Sequence, residues 1–161
     1  MRIKDMLMAK KVIDSWGSWG VGSIPQKNFP LSKAKQKAYK FGSSTAWRVV
    51  TFGCLGRDFR LLVIVAEDKQ ECRVWLGEVR GNDTALILRF EFHGTHPGWH
   101  IHSHCEDTKE AKVGVVQYQS SRRIPKANGY HRKQEFGVSK DTLMDFVSRS
   151  LNLSPKDFRL Q

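Results

Sequence analysis

The sequence predicts an α+β fold: an antiparallel β-meander of five to six strands, with an N-terminal helical region and a C-terminal helix. Three observations carry that prediction. From Ala46 onward apolar and polar residues alternate with a period of two, as strands with one buried face require. The links between these runs are short and rich in Gly, Asp, Asn and Lys, which suits hairpins and leaves no room for the crossover that parallel neighbours need. On either side of this block the apolar spacing becomes helical.

Taken in order, residues 2–14 place Ile3, Met6, Leu7 and Ile13 at near-helical spacing and predict a short amphipathic helix. The next stretch, WGSWGVG from Trp16 to Gly22, is too rich in glycine for regular structure, and its two tryptophans are expected to pack on the domain. Pro25 and Pro30 extend this loop. Ser32 has the chemistry of an N-cap, and the KAKQKAYKF that follows is expected to form a basic helix carrying Lys33, Lys35, Lys37 and Lys40. Those lysines are either a solvated face or a surface that tracks phosphates.

Strands are predicted at 46–53, 59–66, 71–79 and 84–93. The second of these is apolar on both faces and belongs at the centre of the sheet. A fifth strand at 99–105 and a sixth at 112–119 precede a basic loop, SSRRIPKANGYHRK. A helix from Ser139 to about Ser150 closes the series and buries Leu143, Phe146 and Val147. No repeat or internal boundary interrupts the chain, so one domain over 1–161 is expected, with a basic 1–45 region packed on a 46–161 sheet.

At 161 residues, 40% hydrophobic and 11% aromatic, the composition is that of a folded chain with a real core. No apolar run has the length of a membrane span, and Met1 to Lys11 lacks the apolar stretch of a secretion signal. Three scattered cysteines, Cys54, Cys72 and Cys105, argue against a disulfide framework and for the cytoplasm. The net charge of +11 is uneven. Residues 1–45 hold nine Lys/Arg against two acids, 46–110 hold eight against ten, and 111–138 hold six against one. Two basic segments thus flank a slightly acidic middle, which favours a polyanionic partner, nucleic acid before an anionic membrane surface.

Five of the six histidines fall within residues 90–106, FEFHGTHPGWHIHSHCE. Imidazole titrates near neutrality and is the commonest metal ligand. Strand alternation puts Leu86, Leu88, Phe90 and Phe92 on one face and Arg89, Glu91 and His93 on the other. It likewise separates Trp99, Ile101, Ser103 and Cys105 from His100, His102 and His104. If the apolar sets share the core, the polar sets share an open sheet face, with same-face neighbours about 7 Å apart and cross-strand partners about 5 Å apart.

Three chemistries fit that arrangement. In the first, His93, His100, His102 and His104 work as acid and base on a phosphodiester while Arg122, Arg123, Lys126, His131, Arg132 and Lys133 clamp the phosphate. In the second, a divalent metal, zinc or manganese, is held by His100, His102 and His104 with Glu91 or Glu106. In the third, the histidines are a polar face and nothing more. Gly94, His100, His102 and Glu106 are also spaced in a way that resembles the first motif of the cupins, metal-binding β-barrels. The cupin glycine arrives one residue late, at Gly114, and the second motif is matched only in part by Pro125, Gly129, His131 and Glu135. The resemblance implies a barrel with His100, His102, Glu106 and His131 as ligands, and a small-molecule enzyme.

No P-loop, dinucleotide-binding glycine pattern, serine elbow or HExxH motif is present. The sequence therefore points first to a nucleic-acid-binding protein with a histidine-lined site that cleaves phosphodiesters, RNA ahead of DNA. A cupin-like metalloenzyme and a non-catalytic regulator presenting a basic surface to a protein partner are the alternatives.

Overall fold

The fold is described from a computed structural model. The structure describes residues 1–29, 32, 33, 37, 39–92, 100–103, 105–114, 122–124 and 137–153, with residues 100 and 122–124 described by their backbone. The α+β fold is observed, built on one antiparallel sheet. Its elements are α1 (Ile3–Met8), β1 (Val12–Ser15), β2 (Gly20–Val21), β3 (Ala46–Cys54), β4 (Arg57–Ala66), β5 (Glu71–Arg80), β6 (Asp83–Phe92), β7 (His100–Ser103), β8 (Arg122–Ile124) and α2 (Lys140–Ser150). The strand order is β1-β3-β4-β5-β6-β7-β8, and β2 also pairs with β3. The four long strands lie where the alternation predicts, and β4 is central.

Turn chemistry sets the hairpins. Cys54 pairs with Arg57 across Leu55 and Gly56, both at positive φ (50° and 72°), the two-residue turn whose twist matches that of the strands. Between β4 and β5 a 3-10 turn, Glu67–Lys69, ends at Gln70 in the left-handed region. That turn reaches the far end of the chain. The Gln70 amide donates to the Val138 carbonyl (3.2 Å) and accepts from the Val138 N–H (2.8 Å), and Glu67 Oε1 accepts the Lys140 N–H. Helix α2 starts on a capping box formed by Ser139 and Thr142, and buries Leu143, Met144 and Val147. Phe146 is only half-buried, edge-on to Phe90.

Several expectations are corrected. The N-terminal helix stops at Met8, and 12–15 is a strand. The cause is Lys11, whose buried ammonium donates to the carbonyls of Met6, Leu7 and Ala9 and so terminates the helix. Gly20–Val21 is a strand despite its glycine, and Trp16 is buried as expected. Ser32 does not act as the expected cap: its N–H donates to the Tyr39 hydroxyl (2.8 Å) and its hydroxyl lies 3.4 Å from Asp83, while residues 34–36 and 38 of the expected helix lie outside the described residues. Of the described members of the lysine stretch, Lys33, Lys37 and Tyr39 lie in 3-10 turns, and Lys40 and Phe41 in no regular element. Of residues 112–114, expected in a strand, none is in one: Val113 and Gly114 form a turn with Gly114 at φ 81°, and the rest of that segment lies outside the described residues. Strand β8 instead falls in the segment read as a basic loop.

Both faces of the sheet are covered. On the first, Val50, Phe52, Phe59, Leu61, Val63, Val74 and Leu76 meet α1, Trp16 and α2. On the second, Trp47, Leu62, Ile64, Trp75 and Leu86 meet Ile24, Phe29 and Tyr39 of the loop before β3. A bulge in β6 shifts its register, Leu76 facing Leu88 while Gly77 faces Leu86. Leu86 thereby joins the second face while Ile87, Leu88 and Phe90 join the first, which overturns the expected Leu86–Leu88–Phe90 stripe. Among the described residues, no helix is long and apolar enough to cross a membrane.

Candidate functional site

The histidine strand β7 is placed by pairing. β6 and β7 pair through Leu88–Ser103, Arg89–His102, Phe90–Ile101 and Glu91–His100, and β8 adds Arg123 opposite His102. Two rows of paired positions therefore cross the sheet. One runs Leu62, Trp75, Arg89, His102, Arg123; the next runs Ile64, Arg73, Glu91, His100. The expected sharing of one face by Arg89, Glu91 and the alternate histidines is observed at Arg89–His102 and Glu91–His100.

The expected openness is not. Arg89 is 1% exposed and Glu91 5%, and Arg89 Nε lies 3.1 Å from Glu91 Oε1. The alternation assigned this face to solvent because it is polar at β6. It is the continuation of the second core, and the charge is carried inward as an ion pair. His102, half-exposed, stands at the margin of this buried pair, and Arg73 is exposed beside Glu91. A buried guanidinium–carboxylate pair fixes both side chains, since separating them strands a charge in a low-dielectric interior.

Of the remaining predicted residues, Glu106 is exposed beyond β7, where its carbonyl accepts the Ile3 N–H and its own N–H donates to Glu110. It stands next to α1, off the β7 strand. His93, His104, Lys126, His131, Arg132 and Lys133 lie outside the described residues, as does the rest of the loop that would carry the phosphate clamp. Among the described residues no three His, Cys, Asp or Glu side chains gather as a metal ion requires.

All three cysteines are free and buried. Burial raises the thiol of each, Cys105 to about 11 with added repulsion from Glu110 and Asp107, so none is a ready thiolate.

Sequence reasoning passed over a second buried charged group, on the first face. Glu78 accepts from Arg57 Nη1 (2.6 Å) and Arg80 Nη2 (3.1 Å). Arg57 also donates to Thr108 Oγ1 (3.1 Å), and Arg80 to the carbonyls of Thr108 and Ala111. This ties the segment after β7 to the middle of the sheet and so holds β7 from its C-terminal end. Its signal was available: Glu78 stands in phase with Val74 and Leu76, where an exposed residue does not belong.

The sheet has two separate ends, β1 and β8, with no pairing between them among the described residues. That is a linear sheet where the cupin resemblance implied a closed barrel. No family model, no curated protein and no solved structure matches the chain.

Proposed function

We propose that the protein binds nucleic acid, RNA ahead of DNA, and cleaves it at the β6–β7–β8 end of the sheet. What supports this reading above all is the row Arg89, His102, Arg123, which brings an imidazole between two arginine positions on adjacent strands. In this reading one histidine takes the proton of the ribose 2′-hydroxyl as its oxygen attacks phosphorus. A second gives a proton to the departing 5′-oxygen, and arginine steadies the charge on the phosphoryl oxygens. His102 is one of the pair, and His93, His100 or His104 supplies the other. Arg122, Arg123, Lys126, His131, Arg132 and Lys133 hold the flanking phosphates. DNA lacks the attacking hydroxyl, hence the preference. The buried Arg89–Glu91 pair is the rigid floor of the site; engaged with Arg89, Glu91 is poorly placed to serve a zinc or manganese ion. The three unbridged thiols fit a reducing, cytoplasmic setting.

The test is incubation of the protein with labelled RNA and DNA, with and without chelator. RNA cleavage that survives chelation and falls at least about 100-fold in His102→Ala is expected. Absence of cleavage under every condition removes the enzymatic part, and cleavage abolished by chelator replaces acid–base chemistry by metal-assisted hydrolysis.

A further inference from the structure

We infer that a second basic surface, formed by Lys27, Lys33, Lys37 and Lys40, grips the phosphodiester backbone of RNA without regard to base sequence. The inference rests on the nucleic-acid reading above and adds to it a site distinct from the histidine strand. All four lysines are exposed. They stand on a loop pinned to the second face at several points. Ile24, Phe29 and Tyr39 are buried against the sheet, the Ile24 N–H donates to the Tyr39 carbonyl, and Arg60 Nη1 donates to the Phe29 carbonyl (2.5 Å). Asp83, at the start of β6, accepts from the Lys33 N–H (3.1 Å).

The charge here is uncompensated. No acidic residue occurs between Asp14 and Asp58 in the sequence, and Asp83, the acid that touches the loop, is engaged with the backbone N–H groups of Lys33 and Thr84. Among the described residues none of these four ammonium groups forms an ion pair. A row of cations on a braced base, free of local partners, attracts a polyanion by releasing its condensed counterions.

Sequence independence follows from the aromatic residues. Base readout on a sheet uses exposed rings as stacking platforms. Of the rings of this face, Phe29, Tyr39, Trp47 and Trp75 are buried in the core and Phe41 is half-buried against it, and no aromatic side chain among the described residues is fully exposed. What remains to be recognised is the phosphate. The lysine loop and His102 belong to the same side of the sheet, the loop covering the core row that continues through Trp75 and Arg89 to His102. One RNA chain can therefore touch both.

The experiment measures binding of the full chain to two 20-nucleotide RNAs of unrelated sequence, each single-stranded and as a duplex, over a series of salt concentrations. The charge-reversal variant K27E/K33E/K37E/K40E is compared with wild type and with K4E/K10E, which reverses exposed charges near α1. At least tenfold weaker binding is expected for the lysine-loop variant. Its slope of log K against log salt should be shallower by about 0.7 for each single-strand phosphate that the lysines no longer neutralise. The two sequences should bind alike, and K4E/K10E should bind as wild type does. A weakening confined to single strands or to duplex identifies that form as the ligand. Wild-type binding by the lysine-loop variant overturns the inference, as does an equal weakening in K4E/K10E or a tenfold preference for one sequence. If wild-type protein binds no RNA at all, the nucleic-acid reading itself has failed.

Discussion

The two faces of the sheet are buried by different means. The first is largely a conventional interior: aliphatic and phenyl side chains of β3–β6 meet α1 and α2, and the buried carboxylate Glu78, held by two arginines, sits at one end. The second is covered by an irregular loop that contributes three anchors, Ile24, Phe29 and Tyr39, while its lysines stay in water. Beyond those anchors the face passes from indole and leucine to the Arg89–Glu91 pair and then to half-exposed His102. One face is specified by hydrophobic periodicity on both partners. The other is specified by periodicity on the sheet alone, and it becomes polar as it approaches the histidine strand. The chemistry proposed above is placed on the second of these faces.

The comparison breaks most sharply at the buried pair. Glu91→Leu leaves a guanidinium in an apolar layer and is expected to cost about 3–5 kcal/mol, whereas the double variant Arg89→Met/Glu91→Leu recovers most of that stability. On the first face, Phe52→Ala is expected to cost a similar 3–5 kcal/mol, through a cavity that no charge-removing second change repairs. Denaturant unfolding of all three variants measures both sides. A double variant as unstable as Glu91→Leu would mean that the second face depends on packing in the same way as the first.

A smaller effect is expected at Gly17, where the loop before β2 approaches β3. Its φ is 62°, and a Cβ there would lie 2.2 Å from the Val49 carbonyl oxygen. Arg48 donates from Nε to the Trp16 carbonyl (2.7 Å) and from Nη2 to the Gly17 carbonyl, fastening this segment to the sheet edge. Gly17→Ala should lower stability by at least about 1–2 kcal/mol, from backbone conformation alone, and should increase the exposure of Trp16 and Trp19 to fluorescence quenchers. An unchanged urea midpoint would show that the edge yields without cost.

The smallest effect sits at the periphery. Asp107 accepts from the Met1 ammonium (2.8 Å) and the Lys109 N–H (2.9 Å), and the ammonium chiefly holds its carboxyl below the usual carboxylate range. A lowered folded value means that the stabilisation is present above the unfolded carboxylate pKa, about 3.9. It disappears as pH falls through the lower, folded value. Asp107→Asn should flatten the acid limb of the urea midpoint plotted against pH, with the neutral region little altered. Coincident acid limbs would show that the Met1–Asp107 pair contributes nothing to acid stability.

The same contrast explains what the sequence discloses. Strands β3–β6 are legible because alternation and turn residues agree, and α2 because Ser139 stands before a helical stripe. That His102 shares a face with Arg89 is legible too, since it needs only the strand period; which residue it pairs with is not. The bulge at Leu86–Ile87 is not: ALIL carries no polar residue to mark which side turns inward. Strand β1 is hidden because Ile13 extends the spacing of α1, and nothing but the structure reveals that the Lys11 ammonium ends the helix. Burial of Arg89 and Glu91 is illegible for a related reason. The loop that helps cover this face places Ile24, Phe29 and Tyr39 at no regular interval among lysines, so it reads as solvated.

The turn between β4 and β5 does more than reverse the chain. Gln70 forms its amide pair with Val138, and Glu67 takes the first free N–H of α2, so an eleven-residue helix far along the chain meets its template in a tight bend near the middle. Its order of assembly is implied: the central hairpin closes first, by local contacts, and the C-terminal segment then docks on a bend already formed. Loosening that bend would release the helix as a unit and lift the lid from the first face while the strands stayed paired.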